Sequence, residues 1–274
     1  MSRRAFSQID VFAPGPLTGN PVAVVHDASG MDDPTLAAFA RWTNLSETTF
    51  LLPATDPVAD YRLRIFTPTG ELPFAGHPTL GSAHAWLEAG GVPKRQRIVQ
   101  ECGIGPVELR RDGDVLAFRA PELIRSGSVD DETRQQAIAS LGLRPEQVKH
   151  VAWADNGPGW LGLVLDSADT VRAIRPDYRG MGDLALGVIG ADAVSSFDYE
   201  VRAFYPPIGE DPVTGSLNAA FAVWLTRQGV LPPDYTVRQG TALERSGEVI
   251  VSTDRDGIWI GGRSRTLITG TLTL

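Results

Sequence analysis

The sequence predicts an α+β protein of two pseudo-symmetric lobes, each a mixed, barrel-like β-sheet around one central α-helix. Three observations lead there. First, one stretch occurs twice, 138 positions apart: Arg64-Ile65-Phe66-Thr67-Pro68 with Trp86, Leu87, Gly91 and Val92, and Arg202-Ala203-Phe204-Tyr205-Pro206 with Trp224, Leu225, Gly229 and Val230. A repeat at about half of the 274 residues marks two copies of one structural unit. Second, each copy holds one long helical pattern followed by short strands, the mark of an α+β arrangement. Third, in both copies a Gly/Pro-rich loop separates the strand from the helix.

The elements follow in order. Phe6 to Phe12 reads as a strand, Pro14 to Asn20 as a loop and Pro21 to Val25 as a second strand, together a hairpin. Asp32 or Asp33 caps a helix with Pro34 in its first turn and Leu36, Ala37, Phe39 and Ala40 on a 3–4 spacing. Tyr61, Leu63 and Ile65 alternate with Arg62, Arg64 and Phe66, which is strand periodicity. Pro78 suits the first turn of the first central helix, since its missing N–H would be an orphan there anyway. Leu80, Ala83, Trp86 and Leu87 supply its stripe, and Gly90, Gly91 and Pro93 end it. In the second copy Pro212 is expected to start the helix, capped by Asp211, with Leu217, Phe221, Trp224 and Leu225 buried. Short strands then lie near 97–100, 107–109 and 115–118, and near 236–238, 248–252 and 257–260. A helix opens in the polar stretch Asp130 to Gln136. The lobes are expected at 1–122 and 123–265, with the last strand, 266–274, available to complete the first.

Composition narrows the function. The net charge is −8, which disfavours nucleic acid and anionic membranes as partners. Cys102 is the only cysteine, so a disulfide, a CxxC motif and a multi-cysteine zinc site are impossible within one chain. His26, His77, His84 and His150 fall in no ligand pattern, and no metal is expected. No apolar run is long enough for a membrane span, the start has no signal-peptide core, and a cytoplasmic location is expected.

The two strand-to-helix loops carry the candidate chemistry. Gly76 in Ala75-Gly76-His77-Pro78-Thr79, and Thr214-Gly215-Ser216 in the other, are small residues at helix starts, where unpaired N–H groups favour an anion. Each also reads as a plain turn. Two such loops in matching places favour a small-molecule site, the loops facing one another across a cleft. Glu47 precedes the apolar run Phe50-Leu51-Leu52, and a carboxyl beside apolar surface suits proton transfer; equally, it reads as a surface residue of a strand-leading loop. His77 is an acid/base candidate or a helix cap, and Asp211 a partner for it or a cap. Ser216 reads as an anion ligand, because no GxSxG elbow surrounds it.

Four motifs together resemble the PhzF-type phenazine biosynthesis family: Gly19-Asn20-Pro21-Val22-Ala23-Val24, Asn44-Leu45-Ser46-Glu47-Thr48, Phe74-Ala75-Gly76-His77-Pro78-Thr79-Leu80-Gly81 and Gly209-Glu210-Asp211-Pro212-Val213-Thr214-Gly215-Ser216. The resemblance spans nearly the whole chain and implies the diaminopimelate epimerase-like fold. It implies an isomerase that needs no cofactor and moves a proton within a small carboxylate-bearing substrate, as in the isomerisation of trans-2,3-dihydro-3-hydroxyanthranilate. By the same resemblance Glu47 is the general acid/base, His77, Asp211 and Ser216 surround the substrate, Asn20, Gly76, Thr214 and Gly215 contribute to binding it, and the protein is a homodimer. The related epimerases use two facing cysteines; here those places are Ala75 and Asp211, so a two-thiol mechanism is excluded. The gapless repeat instead pairs Pro73 with Asp211. The alternative reading is a binding or interaction protein that keeps this fold without a reaction.

Overall fold

A computed structural model describes residues 3–206 and 208–274. The chain divides into two compact units, 1–119 with 261–274, and 120–260. The first contains β1 (Arg3–Val11), β2 (Asn20–Val25), α1 (Asp33–Thr43), β3 (Glu47–Leu52), β4 (Tyr61–Thr67), β5 (Gly70–Leu72), α2 (Gly76–Glu88), β6 (Ile98–Cys102), β7 (Gly105–Asp112) and β8 (Val115–Arg119). The second contains β9 (Arg125–Gly127), α3 (Asp131–Ser140), β10 (Val148–Asp155), β11 (Trp160–Leu165), α4 (Ala168–Ala173), α5 (Tyr178–Met181), β12 (Ala185–Ala191), β13 (Tyr199–Tyr205), β14 (Gly209–Asp211), α6 (Gly215–Phe221), β15 (Tyr235–Gln239) and β16 (Gly247–Asp254). A π-helical segment, Ala222–Thr226, continues α6. The last strand, β17 (Gly257–Thr273), supplies its residues from Gly261 onward to the first unit.

Strand pairing repeats the internal symmetry of the sequence. In the first unit β1 pairs antiparallel with β2, β2 parallel with β3, β3 antiparallel with β4, β4 antiparallel with β5 and parallel with β6, and β6 antiparallel with β7. In the second, β10 to β16 follow the same series of antiparallel and parallel steps. The first unit closes completely, because β7 pairs β8, β8 pairs β17 and β17 pairs β1. Closure removes both sheet edges.

The helix α2 is the core of that barrel, and residues 76–83 and Ala85 are all buried. Its glycines are packing requirements. A Cβ at Gly81 would lie 2.4 Å from Val22 Cγ1, and one at Gly76 would lie 2.4 Å from the Phe118 ring. Burying Leu80 fully contributes roughly 1.5–3 kcal/mol. The outer helix α1 is capped by Asp32, whose carboxylate accepts from the Thr35 N–H, and buries Leu36, Phe39 and Ala40 against Val25, Phe50 and Phe66. In the second unit, α3 begins after its cap Asp130, and Ile138 joins Leu163, Met181, Val188 and Phe204 in the core.

The second central helix starts later than its local signals suggest. The cap is Thr214, not Asp211, and Pro212 lies before the helix. Asp211 is the last residue of β14, paired to Ala203, while Ile65 pairs with Leu72 in the first unit. The structural register is therefore Leu72 with Asp211, and cap Ala75 with cap Thr214. Neither Pro73 nor Ala75 matches Asp211. The hairpin of the second unit is one residue longer, which moves the cap and first turn of α6 by one position relative to those of α2.

Two histidines report on the first barrel. His26 Nε2 lies 3.0 Å from Ser7 Oγ, and His84 Nε2 lies 3.2 Å from Thr266 Oγ1 and 3.3 Å from Glu88 Oε1. Burial lowers both imidazoles below the ordinary 6.5, against the attraction of Glu88. Below that ordinary value, and above the folded values, the unfolded chain binds more protons than the folded one, so stability falls as the pH drops through this window. Urea midpoints measured between about pH 7.5 and 5.5 are expected to decline. The decline is expected to flatten in a His26→Gln/His84→Gln variant; an unchanged slope would assign it to other groups.

Candidate active site

The strand β3 places Glu47 at its first residue, and α2 places His77 at its second. Glu47 Oε2 and His77 Nδ1 are 3.0 Å apart, with side chains 16% and 5% exposed. The contact is short, yet the imidazole is not aligned as a hydrogen-bond donor to that oxygen. A half-buried carboxyl in contact with a buried imidazole has the pieces needed to pass a proton. Asn20, 1% exposed, opens β2, which runs parallel to β3 with Val22 opposite Glu47. Asn20 and Glu47 thus begin adjacent strands at the same end. The first intrahelical bond of α2 runs from Thr79 N–H to Ala75 O, so the Gly76 and His77 N–H groups lie ahead of it.

In the second unit Asp211 Oδ2 accepts a 2.6 Å hydrogen bond from Thr214 Oγ1. The Thr214 N–H donates to Gln239 Oε1, and its hydroxyl accepts from Gln239 Nε2. Thr214 therefore uses its polar groups to hold the loop and Asp211. Gly215 and Ser216 are the first two residues of α6, so Gly76 corresponds to Gly215 and His77 to Ser216. Ser216 Oγ accepts a 3.1 Å hydrogen bond from Trp160 Nε1. A cavity of about 390 Å³ in this unit is lined by Arg172, Arg175, Arg202 and Glu210, but by none of the candidate residues. Arg172 and Arg202 there are already matched by Asp169, Asp192, Glu200 and Glu210.

Several supporting residues escaped the reading of the sequence. Asp10, 1% exposed in β1, accepts the Thr18 and Gly19 N–H groups and shapes the loop before Asn20. An aspartate between Ile9 and Val11 in a strand was the available signal. Gln100 and Gln239 are both fully buried and both tie a β-strand to the first turn of a central helix, Gln100 through Thr79 and Gln239 through Thr214 and Asn218. Cys102 is half-buried in β6, and burial pushes its thiol up, away from the reactive thiolate. Among the described residues no cluster of three or more His, Cys, Asp or Glu could hold a metal, and no helix is long and apolar enough to cross a membrane.

Comparison with known proteins agrees with this architecture. The chain is 36% identical to antisense-enhancing sequence 1 of Schizosaccharomyces pombe, over 98% of this chain and 99% of the relative. It is 34% identical to the trans-2,3-dihydro-3-hydroxyanthranilate isomerase of Pseudomonas aeruginosa, over 91% and 90%. Among solved structures, a predicted epimerase from Pseudomonas aeruginosa superposes with a TM-score of 0.81 at 29% identity, covering all of both chains. The family described as phenazine biosynthesis-like protein matches residues 9–273. With that match over nearly its whole length, and with two units of diaminopimelate epimerase-like architecture, the chain belongs to the PhzF/PhzC phenazine biosynthesis-like family.

Proposed function

We propose that this protein is a cofactor-independent isomerase that moves a proton within a small carboxylate-bearing substrate, in the manner of trans-2,3-dihydro-3-hydroxyanthranilate isomerase. Glu47 takes the proton from an activated C–H and returns it elsewhere on the same molecule. His77 sits beside it as a second acid/base. Asp211, Gly215 and Ser216 hold polar groups of the substrate. The observation that carries this reading is the 3.0 Å contact between Glu47 and His77, both largely withdrawn from water. The 34% identity to a named isomerase supports the reaction class.

The test is proton exchange. Incubation with a panel of anthranilate-like acids in deuterated water is expected to give deuterium uptake at carbon, in the presence of EDTA and without added nucleotide. A strict need for a metal or nucleotide would overturn the cofactor-free scheme. The second reading is a small-acid-binding or interaction member without a reaction, favoured by the relationship to antisense-enhancing sequence 1, whose name states no reaction. Binding without exchange across the panel would support it.

A further inference from the structure

We propose that Trp160 is a positioning residue that holds the Ser216 hydroxyl as a hydrogen-bond donor toward the acidic group of the substrate. The inference rests on the reading above, in which Ser216 holds that group. Trp160 is 3% exposed at the start of β11, wedged edge-on against Tyr205. Its indole N–H lies 3.1 Å from Ser216 Oγ. An indole is a donor only, so the serine oxygen must be the acceptor, and its own hydrogen points away from the indole. Among the described residues Ser216 Oγ has no other hydrogen-bond partner. A hydroxyl whose neighbour can only donate to it lacks the base that a nucleophile needs. It retains one donor, which suits an anionic acceptor.

The segment that carries Trp160 is built to stay in place. Asp155, 9% exposed, accepts the N–H groups of both Gly157 and Gly159 at 2.7 Å. Those glycines have φ of 139° and 88°, which side-chain-bearing residues rarely adopt. Asn156 Nδ2 donates to the Ser216 carbonyl at 2.9 Å, which also fixes the amide orientation, since a carbonyl only accepts. Asn156 Oδ1 is buried with no partner among the described residues. The polar lining beside Ser216 is thus incomplete without a ligand or water. One loop therefore grips Ser216 at both its backbone and its hydroxyl.

A double-mutant cycle on the full chain tests this. Binding of anthranilate, benzoate and succinate is measured by calorimetry for the unaltered protein, Trp160→Phe, Ser216→Ala and the double variant, with anthranilamide and benzamide as uncharged controls. A hydrogen bond to a charged group is worth enough for Ser216→Ala to weaken acid binding about tenfold. Trp160→Phe is expected to weaken it by a similar factor, the double variant to be no weaker than Ser216→Ala alone, and amide binding to be unchanged. Equal losses for acid and amide would mark a merely structural effect and overturn the proposal. Full acid affinity in Trp160→Phe, or losses that multiply, would overturn it while leaving Ser216 as the acid ligand. No loss in Ser216→Ala, or no acid bound by the unaltered protein, would overturn the assignment of Ser216 and this proposal with it.

Discussion

Glu47→Gln is expected to lower turnover at least about 10²-fold, and up to about 10⁴-fold, on any substrate the protein isomerises. The exchange replaces one carboxyl oxygen by an amide nitrogen and keeps the volume, so packing at the start of β3 is preserved. The amide cannot take and return a proton near neutral pH. Its oxygen can keep the same close contact with His77 Nδ1, which lies 3.0 Å from Glu47 Oε2. Substrate affinity and melting temperature are therefore expected to change little. That separates loss of chemistry from loss of structure. His77→Asn supplies the contrast. It removes the neighbour and leaves the carboxyl, so it is expected to cost less than Glu47→Gln. Full turnover in Glu47→Gln would remove Glu47 from the mechanism. A loss that appears only in affinity would make it a binding group.

The division into two matching units was legible in the sequence because duplication is a long-range signal. Phe66 and Phe204, 138 positions apart, each lie under the arginine two residues before, Arg64 at 5.1 Å and Arg202 at 4.9 Å. The hairpin at the start of the chain and the Asp32 cap were legible because their signals are local. The start of α6 was not. Asp211-Pro212 carries a strong local capping signal, yet Asp211 is committed to β14 by its pairing with Ala203, and Gln239 fixes Thr214 as the cap position. Gln239 lies 25 positions from Thr214, so no window of local sequence contains both partners. Glu47 and His77 are 30 positions apart, and only the barrel brings them together. Motif resemblance singled out both residues, but it could not supply the distance. Trp160 and Asn156 carry no local signal, because their meaning depends on a serine 56 and 60 positions away.

Arg202→Met is expected to destabilise the protein by about 3–5 kcal/mol, the cost of leaving a buried carboxylate without its partner. Arg202 is 3% exposed and holds Glu210, 8% exposed, through two hydrogen bonds of 2.8 and 2.7 Å. Its remaining Nη1 donates to the carbonyls of Val171 and Ile174, which would lose a donor as well. Glu210 precedes Asp211 on β14, so the same clasp steadies the strand that carries a candidate site residue. The repeat provides an internal control. Arg64 grips Glu71 with the same two-pronged geometry, at 2.7 and 2.6 Å, but Glu71 is 41% exposed and Asp33, its other partner, 76% exposed. Water screens that cluster and can solvate the carboxylates if the arginine is lost. Arg64→Met is therefore expected to cost about 1 kcal/mol or less. Urea denaturation of both variants measures the difference. Removing the stranded charge together with its partner, in Arg202→Met/Glu210→Leu, is expected to recover most of the loss, since a buried ion pair is often no more stabilising than apolar residues of similar size. Equal costs at Arg64 and Arg202 would mean that burial does not set the strength of this clasp, and a double variant as unstable as Arg202→Met would place the cost in the lost carbonyl donors instead.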